Sequence, residues 1–207
     1  MVLGLVALLA LLNTHLISKR HEIRRVREEL ISRTIQHELV RQQSFTDPLT
    51  EIYNRHSLED VAGRFISHAR RLKKPLTLML IDVDRFKEVN TRFGHLTGDV
   101  VLADTAALLK NSVRGSDAVF RYGGDEFLVI LADTSSADAD NVVERIRSSL
   151  LEWNRAGHLA GLELSLSIGV SEWSDGKTLD ELLDSADRHM YTAKADRKVG
   201  KAKSIGV

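Results

Sequence analysis

The chain has 207 residues, 43% of them hydrophobic and 28% charged, which suffices for one domain of ordinary size and an additional segment. Lysine and arginine together number 29, as do aspartate and glutamate, so the overall charge gives no argument for a nucleic-acid partner and we expect none. Cysteine is absent, which excludes disulfides and thiolate metal sites and leaves metals with oxygen ligands as the class to consider.

The first segment, residues 1–17, contains no Asp, Glu, Lys or Arg and is densely apolar up to Leu12. A spanning helix needs about 20 apolar residues, and roughly 17 is the lower limit, so the segment predicts a membrane-spanning or membrane-anchoring helix of marginal length. It is followed by the cations Lys19, Arg20, Arg24, Arg25 and Arg27. The positive-inside rule places these in the cytoplasm, which predicts an inner-membrane anchor and a cytoplasmic remainder. The alternatives are a buried helix or the cut end of a longer receptor; without the helix the protein would be soluble and cytoplasmic.

The second segment, residues 18–44, contains neither glycine nor proline and alternates charges of both signs. Apolar residues recur on one heptad seam at Leu16, Ile23, Val26, Leu30 and Val40. The same seam is interrupted by Lys19, Arg33 and His37. The pattern predicts a helical linker that forms a short parallel coiled coil, and a solvated single helix is the alternative.

The globular domain is predicted to occupy residues 45–207, because Pro48 breaks the preceding helix. Its first elements are a helix capped by Ser57 and running to about residue 72, then a strand over 75–84 whose nearly continuous apolar run is typical of a central strand covered on both faces. The later predicted elements are a helix over 98–113, a hairpin over 118–131, a helix over 136–156, a strand over 162–170 and a helix over 178–198.

Without its outer helices this order of elements is βαββαβ, which is the ferredoxin-like arrangement. The predicted fold class is therefore α+β, an α/β sandwich in which an antiparallel sheet carries helices on one face, with extra helices and a preceding N-terminal helix. In such a sheet the first strand and the hairpin are central neighbours. The ends of these strands are then close in space.

The hairpin segment RYGGDEFLVIL places Asp125 and Glu126 directly after the Gly123–Gly124 pair and before a run of apolar residues. Glycine adopts φ > 0 without strain, so the pair predicts a tight turn. A solvated surface hairpin that carries charges for solubility is the first interpretation.

The strand over 75–84 ends with Asp82 and Asp84, and the predicted topology brings these two residues beside Asp125 and Glu126. Four carboxylates at such short distances repel one another strongly unless a cation lies between them. Mg²⁺ prefers hard oxygen ligands and commonly accompanies phosphorylated substrates, so it is the cation that this convergence favours. The convergence favours a functional site over the solvated hairpin.

Several blocks in this order resemble the GGDEF domain of diguanylate cyclases, namely TDPLTEIYNR, IDVDRFKEVNTRFGHLTGD, RGSD, RYGGDEF, SIGV and ADRHMYTAK. The resemblance covers the whole predicted domain, residues 45–207. It implies a fold similar to adenylyl cyclase catalytic domains and polymerase palms. It also implies an enzyme that condenses two GTP molecules into cyclic di-GMP and two pyrophosphates, by attack of a ribose 3′-hydroxyl on an α-phosphate.

The resemblance implies a role for each acid, matched motif by motif. Asp82 and Asp125 are expected to bind Mg²⁺, with Mn²⁺ possible in its place, and the backbone carbonyl of Val83 is the expected third ligand. Glu126 is expected to assist at the metal or in deprotonation. Asp82, Asp125 and Glu126 are thus the expected catalytic residues. Metal ions in such a reaction neutralise the triphosphate and lower the pKa of the attacking hydroxyl.

The expected guanine contacts are Asn90 and Asp99. A carboxylate can accept hydrogen bonds from N1–H and the exocyclic amine of guanine, and adenine offers neither donor there, so GTP is expected to be preferred over ATP. Asp99 also suits the first turn of a helix because of the helix dipole.

The expected phosphate contacts are Phe86, Lys87, Gly123, Gly124, Lys194 and Lys198. The glycines leave room for the triphosphate beside the backbone, whereas the ring of Phe86 is expected to serve packing. The chain departs from the family pattern at Arg197, where a glycine is usual, which puts the geometry of Lys198 in question. Smaller departures are Glu51 and Thr91, which do not touch the expected metal ligands.

The segment RGSD reproduces an RxxD motif at the family's spacing from the Gly-Gly pair. The resemblance implies that Arg114 and Asp117 form an inhibitory site for the product, cyclic di-GMP, with arginine on phosphate or guanine and aspartate on the guanine edge. A surface ion pair at the end of a helix is the alternative.

Since one domain holds one GTP and the product contains two, the resemblance implies a homodimer, assembled through the cyclase domains and the N-terminal coiled coil. Three rival functions stay open: an inactive receptor that binds cyclic di-GMP at the RxxD site, another nucleotide cyclase or palm-type transferase, and a membrane-anchored interaction protein.

Overall fold

The computed structural model describes residues 15, 17–25, 27, 45–157, 159 and 161–204. The chain divides into two units, residues 1–44 and residues 45–207. In the first unit residues 17–25 are helical and exposed, and most of the predicted membrane helix and coiled coil lies outside the described residues. Among the residues described, no helix is both long enough and apolar enough to cross a membrane.

The second unit is built on a sheet of short and medium-length strands, which are β1 (Tyr53–Asn54), β2 (Leu76–Val83), β3 (Ala118–Arg121), β4 (Glu126–Ala132) and β5 (Leu166–Glu172). Its helices are α1 (Leu58–Leu72), α2 (Phe86–Phe93), α3 (His95–Asn111), α4 (Ser136–Ala156) and α5 (Leu179–Ser204). A 3₁₀ turn, Arg55–Ser57, joins β1 to α1.

The strands lie in the order β1-β3-β4-β2-β5. The pairs β3–β4, β2–β4 and β2–β5 are antiparallel, and the short edge strand β1 runs parallel to β3. Without β1 the order is that of a ferredoxin-like sheet, with the first strand and the second hairpin strand at its centre. The predicted α+β fold class is confirmed.

Helices cover both faces of the sheet, which corrects the expectation of helices on one face. Met79 and Ile81 pack with residues of α3 and α4 on one face, and Leu78 and Leu80 pack with residues of α1 and α5 on the other. Alternate side chains of a strand point to opposite faces, so β2 contributes to both clusters. The outer helices α1 and α5 therefore form a second layer.

The ends of the helices follow local rules in most places. The N-terminus of α4 is capped by Ser135, whose hydroxyl accepts a hydrogen bond from the N–H of Asp138 at 3.2 Å, and the helix ends at Gly157 with φ of 64°. These bounds are the predicted ones. Ser57 precedes α1 as expected, but its hydroxyl donates to the carbonyl of Asn54 at 2.8 Å instead of capping the helix.

The prediction missed the strand β1 and the helix α2, and it began α3 three residues late. Gly94, with φ of 85°, separates α2 from α3. Glycine at this position permits the positive φ of the turn between the two adjacent helices. Helix α2 is too short, and the first turn of α3 too polar, to be recognised from hydrophobic periodicity.

The turn of the β3–β4 hairpin also differs from the prediction. The strands end at Arg121 and resume at Glu126, and neither Gly123 nor Gly124 has a positive φ. The N–H groups of Tyr122 and Gly123 both donate to the carbonyl of Glu126, at 2.8 and 3.1 Å. A Cβ on Gly123 would lie 2.5 Å from the Glu126 carboxylate. Gly123 therefore lies close beside the Glu126 side chain, and it does not adopt a left-handed conformation.

Candidate active site

The fold brings three of the predicted acids together at the ends of the two central strands. Asp82 on β2 lies directly opposite Glu126 on β4 and Ser167 on β5. Residues directly opposite in a sheet point to the same face, so these three side chains share the face that α1 and α5 cover. The N–H of Val83 donates to the carbonyl of Asp125 at 3.1 Å, which places the turn at the end of β2.

Burial and mutual repulsion change the proton affinity of this cluster. Burial raises the pKa of Asp82. The hydrogen bond and charge of Lys194 oppose this rise without cancelling it, and the negative charges of Asp125 and Asp84 add to it. The pKa of Glu126 is raised by burial first and then by the charges of Asp82 and Asp125. A cation at this position is thus favoured by both carboxylates.

One cation at this position comes from the protein itself. Nζ of Lys194, on α5, lies 2.8 Å from Oδ1 of Asp82. Helix α5 reaches this point because Gly169 on β5 lets it pack closely: a Cβ there would collide with the carbonyl of Ala186 and lie 2.5 Å from the amide nitrogen of Met190. The absence of a side chain at Gly169 therefore lets α5 approach β5, and Lys194, one helical turn beyond Met190, reaches Asp82.

The fourth predicted acid, Asp84, has its carboxylate engaged elsewhere. Its Oδ2 accepts a hydrogen bond from the Ser165 hydroxyl at 2.8 Å, and its Oδ1 accepts one from the Ser167 hydroxyl at 2.6 Å. Among the described residues, no set of three or more His, Asp or Glu side chains is arranged to hold a metal ion. The convergence of four acids is thus narrower than expected, with Asp82, Asp125 and Glu126 at its centre.

The donor set at this position suits a hard divalent cation. Asp82 and Asp125 supply carboxylate oxygens and Val83 supplies a carbonyl. Burial first, and neighbouring carboxylates as well, raise the pKa of Asp82 and of Glu126, so a bound cation would stabilise their charged forms. The assignment of Asp82, Val83 and Asp125 as metal ligands stays a prediction. The chemistry of the residues present is compatible with it.

A contact that the sequence reasoning missed supports the Gly-Gly turn. The guanidinium of Arg121 lies 3.2 Å from Oδ1 of Asp47 and donates to the carbonyl of Gly124 at 3.0 Å. Asp47 also accepts hydrogen bonds from the N–H and hydroxyl of Thr50, at 2.9 and 2.7 Å. Burial alone would raise the pKa of Asp47, but the bonds from Thr50 and the charge of Arg121 lower it overall. The block TDPLT therefore braces the turn that carries Asp125.

The predicted guanine contacts lie on adjacent helices. Oδ1 of Asn90, on α2, is buried and has no hydrogen-bond partner among the residues that the structure describes. A Cβ on Gly98 would collide with this side chain, so the glycine in the first turn of α3 makes room for Asn90. Asp99 follows Gly98 and is exposed. An unpaired buried amide oxygen is costly, and a bound base is one way to satisfy it.

The predicted phosphate contacts are spread over several elements. Phe86 is partly buried against the α3–α4 core, which agrees with its expected packing role, while Lys87 is exposed. Lys87 lines a shallow surface depression together with Arg85, Glu88, Thr91 and Arg92. Apart from its two chain neighbours, no described residue comes within 4 Å of the position that a Cβ on Gly124 would take. Lys198 belongs to α5, but its side chain is outside the described part of that helix.

The predicted inhibitory site is a turn between α3 and β3. Asp117 accepts a hydrogen bond from the N–H of Arg114 at 2.8 Å and another from the N–H of Ala132 at 3.1 Å. The carboxylate of Asp117 therefore has a structural role in the turn, and the Arg114 side chain is exposed. The assignment of this pair to product binding stays a prediction.

The site thus lies on an α+β domain with a ferredoxin-like sheet and carboxylates at the ends of its central strands. A family model described as "Diguanylate cyclase, GGDEF domain" matches residues 44–199. The chain belongs to this family, and the predicted membership is confirmed.

Two curated relatives and one solved structure show how far the similarity extends. The diguanylate cyclase DosC of Escherichia coli (strain K12) is 38% identical over 176 residues, which cover 84% of this chain and 38% of DosC. The response regulator PleD of Caulobacter vibrioides (strain NA1000 / CB15N) is 40% identical over 163 residues, which cover 76% of this chain and 36% of PleD. The chain thus spans well under half the length of these relatives.

The solved structure is the coiled coil and GGDEF domain of DgcB from Caulobacter crescentus in complex with c-di-GMP. It matches with a TM-score of 0.69 at 26% identity and covers 89% of this chain and 95% of that chain.

Proposed function

We propose that this protein is a diguanylate cyclase, which condenses two GTP molecules into cyclic di-GMP with release of two pyrophosphates. The observation that carries the proposal is the cluster of Asp82, Asp125 and Glu126 at the ends of the central strands, with Lys194 against it. Membership in the GGDEF family and the similarity to the cyclase DosC support it.

Asp82, Asp125 and the Val83 carbonyl would hold Mg²⁺, or Mn²⁺, at this cluster. The bound ion would neutralise triphosphate charge and lower the pKa of the attacking 3′-hydroxyl. Glu126, whose pKa is raised, would accept a proton from that hydroxyl or assist at the metal. Lys194 would supply a positive charge to the phosphates from a position beside Asp82.

Guanine would be selected by the two helices next to this cluster. Asp99 would accept from N1–H and the exocyclic amine, and Asn90 would accept a hydrogen bond from the nucleotide at its buried Oδ1. Adenine lacks those donors, so ATP would be a poor substrate. The phosphates would lie between Lys87 and the open space beside Gly124.

Two further parts of the proposal concern assembly and control. Joining two nucleotides requires two domains, so the active form would be a homodimer, and residues 18–44 would pair as a coiled coil that sets the distance between the domains. A coiled coil is present in the matched DgcB structure. Residues 1–17 would anchor this dimer at the inner membrane.

Product would inhibit the enzyme at Arg114 and Asp117. The matched DgcB structure contains c-di-GMP, which supports a product site in a related domain. A second candidate function, an inactive receptor for cyclic di-GMP, would use the same pair. The intact acid cluster favours the enzyme, because a receptor has no need of partly buried carboxylates that repel one another.

The deciding experiment is incubation of the full chain with GTP and Mg²⁺ at a concentration that favours dimers, followed by mass spectrometry of the products. The control is Asp125→Asn, which keeps the size of the side chain and removes its charge. Cyclic di-GMP from the parent and none from the control establishes the cyclase. No product from either protein, together with tight binding of cyclic di-GMP, replaces the proposal with the receptor.

A further inference from the structure

Asp84 is tied to β5 more firmly than the acids around it. Both of its carboxylate oxygens accept hydrogen bonds from hydroxyls, from Ser165 at 2.8 Å and from Ser167 at 2.6 Å. Its backbone N–H donates to the carbonyl of Ser165 at 2.9 Å, which extends the β2–β5 ladder by one residue. Three hydrogen bonds thus join Asp84 to Ser165 and Ser167 on the neighbouring segment of the same chain.

The segment that holds Asp84 is itself fixed from the other side. Asn154, near the end of α4, donates from Nδ2 to the carbonyl of Leu164 and accepts at Oδ1 from the N–H of Leu164, both at 2.8 Å. The side-chain amide thereby pairs with the backbone of Leu164 as a neighbouring strand would. Ser165 follows directly, so its hydroxyl is presented from a fixed backbone.

Asp84 lies where the chain turns from the acid cluster to the first helix of the nucleotide region. Asp82 precedes it by two residues, and α2 begins at Phe86. Between them Arg85 adopts a left-handed conformation with φ of 57°. Such a conformation is strained for a non-glycine residue and persists where the surroundings impose it. The bonds of Asp84 are the adjacent restraint.

We propose that Asp84 is a positioning residue for the reaction: through Ser165 and Ser167 it fixes the turn that sets Asp82 relative to Lys87. Its carboxylate oxygens are occupied by the serine hydroxyls, so its role is geometric and it is distinct from the expected metal ligands. The statement that this turn serves the reaction rests on the proposed function. The geometry itself can be tested without turnover.

The first test is Asp84→Ala in the full chain, with hydrogen exchange of the amides over residues 83–88 measured without nucleotide. Loss of the two side-chain hydrogen bonds, with the backbone bond to Ser165 retained, is expected to raise exchange there by about tenfold or more, because a released hydrogen-bonded turn opens locally. Cyclic di-GMP formation is expected to fall by about tenfold to a hundredfold, as for a misplacement of reacting groups by an ångström.

The matched control is Thr77→Val at the opposite end of the same strand. Its hydroxyl, fully buried, donates to the carbonyl of Thr134 at 2.8 Å. This change also removes one buried side-chain hydrogen bond from β2, yet it is expected to leave exchange over 83–88 and the rate of product formation unchanged. An equal effect of both substitutions would mean that general loss of stability explains the result, and it would overturn the proposal.

The conservative change Asp84→Asn separates geometry from charge. Asparagine keeps an acceptor for one serine and can donate to the other, so it is expected to restore most of the protection and activity that alanine loses. If asparagine is as inactive as alanine while exchange over 83–88 stays at the parental level, Asp84 acts through its charge and the proposal is wrong. If the parent makes no cyclic di-GMP, the proposed function fails, and the exchange data still decide whether Asp84 fixes the turn.

Discussion

At the residue scale, the site combines groups that stabilise the fold with groups that cost stability. Asp84, Asp117 and Asp47 each accept two or more hydrogen bonds. Asp82 and Glu126 instead face each other across β2 and β4, and both have raised pKa values. Carboxylates with raised pKa values, such as Asp82 and Glu126, reduce stability at neutral pH and are expected where a reaction needs their charge.

The sign of the Glu126 effect gives a pH prediction. A raised pKa means that the folded state binds the proton more tightly than the unfolded state, so the free energy of unfolding falls as pH rises from the ordinary value of 4.5 through the raised pKa. Glu126→Gln is expected to raise the free energy of unfolding at pH 7 and to flatten this fall, while abolishing product formation.

Urea unfolding of the parent and of Glu126→Gln at several pH values measures this effect. Glu144→Gln is the control, since Glu144 is exposed and forms an ion pair with Arg147 on the surface of α4. Surface pairs of this kind contribute about 0–1 kcal/mol. A Glu126→Gln protein that is less stable than the parent at pH 7 would contradict the prediction.

The RxxD turn gives a second prediction at the same scale. Arg114 contributes its backbone N–H to the turn, and its side chain is exposed. Arg114→Ala therefore keeps the bond to Asp117 and is expected to weaken cyclic di-GMP binding by about tenfold or more, from the loss of hydrogen bonds to a charged group. Calorimetric titration and inhibition assays measure this. Unchanged affinity and inhibition would show that the motif is a structural turn alone.

At the element scale, the position of α5 decides which charges meet. Helix α5 packs against β5 across Gly169, and this contact carries Lys194 to Asp82. Gly169→Ala is expected to cost about 1–3 kcal/mol of stability through overpacking against backbone atoms that cannot move independently. Activity is expected to fall as well, because α5 must shift and the Lys194–Asp82 contact is lost.

Gly63→Ala is the matched control for this prediction. Gly63 lies in α1, and apart from its chain neighbours and the backbone of its own helix no described residue comes within 4 Å of a Cβ there. Alanine is favoured over glycine inside a helix by roughly 0.5–1 kcal/mol, so the control is expected to be slightly more stable than the parent. Urea midpoints and rates of product formation for both variants provide the comparison. Parental stability and activity of Gly169→Ala would refute the role of the close contact.

At the scale of the whole molecule, the proposed reaction needs two catalytic domains. Removal of residues 1–44 is expected to leave a folded domain, since residues 45–207 form a compact unit with both core clusters. Its specific activity is expected to rise steeply with protein concentration, while the full chain stays active when dilute. Equal activity of the two proteins at every concentration would exclude a role for the N-terminal segment in dimerisation.

The sequence allowed the fold class and the three acids at the strand ends to be predicted. The apolar run before Asp82, the hairpin around Asp125 and the periodic helices are local patterns, and the βαββαβ order leaves few ways to arrange them. Family motifs added expected roles for Asn90, Asp99, Arg114 and Lys194. These features depend on residues that are close in the chain or on an order of elements that is read directly from it.

Tertiary structure alone decided which partners each side chain has. Asp84 and Ser165 are far apart in the chain, as are Arg121 and Asp47, or Gly169 and α5, and no local pattern relates them. The turn at Gly123 was predicted from backbone freedom, whereas in the fold its φ is not positive and the glycine lies beside the Glu126 side chain. Local preferences determine the helices and strands, but contacts between distant residues depend on how the layers of the fold pack. That packing gives Asp84 its two serine partners, whereas Asp82 lies opposite Glu126.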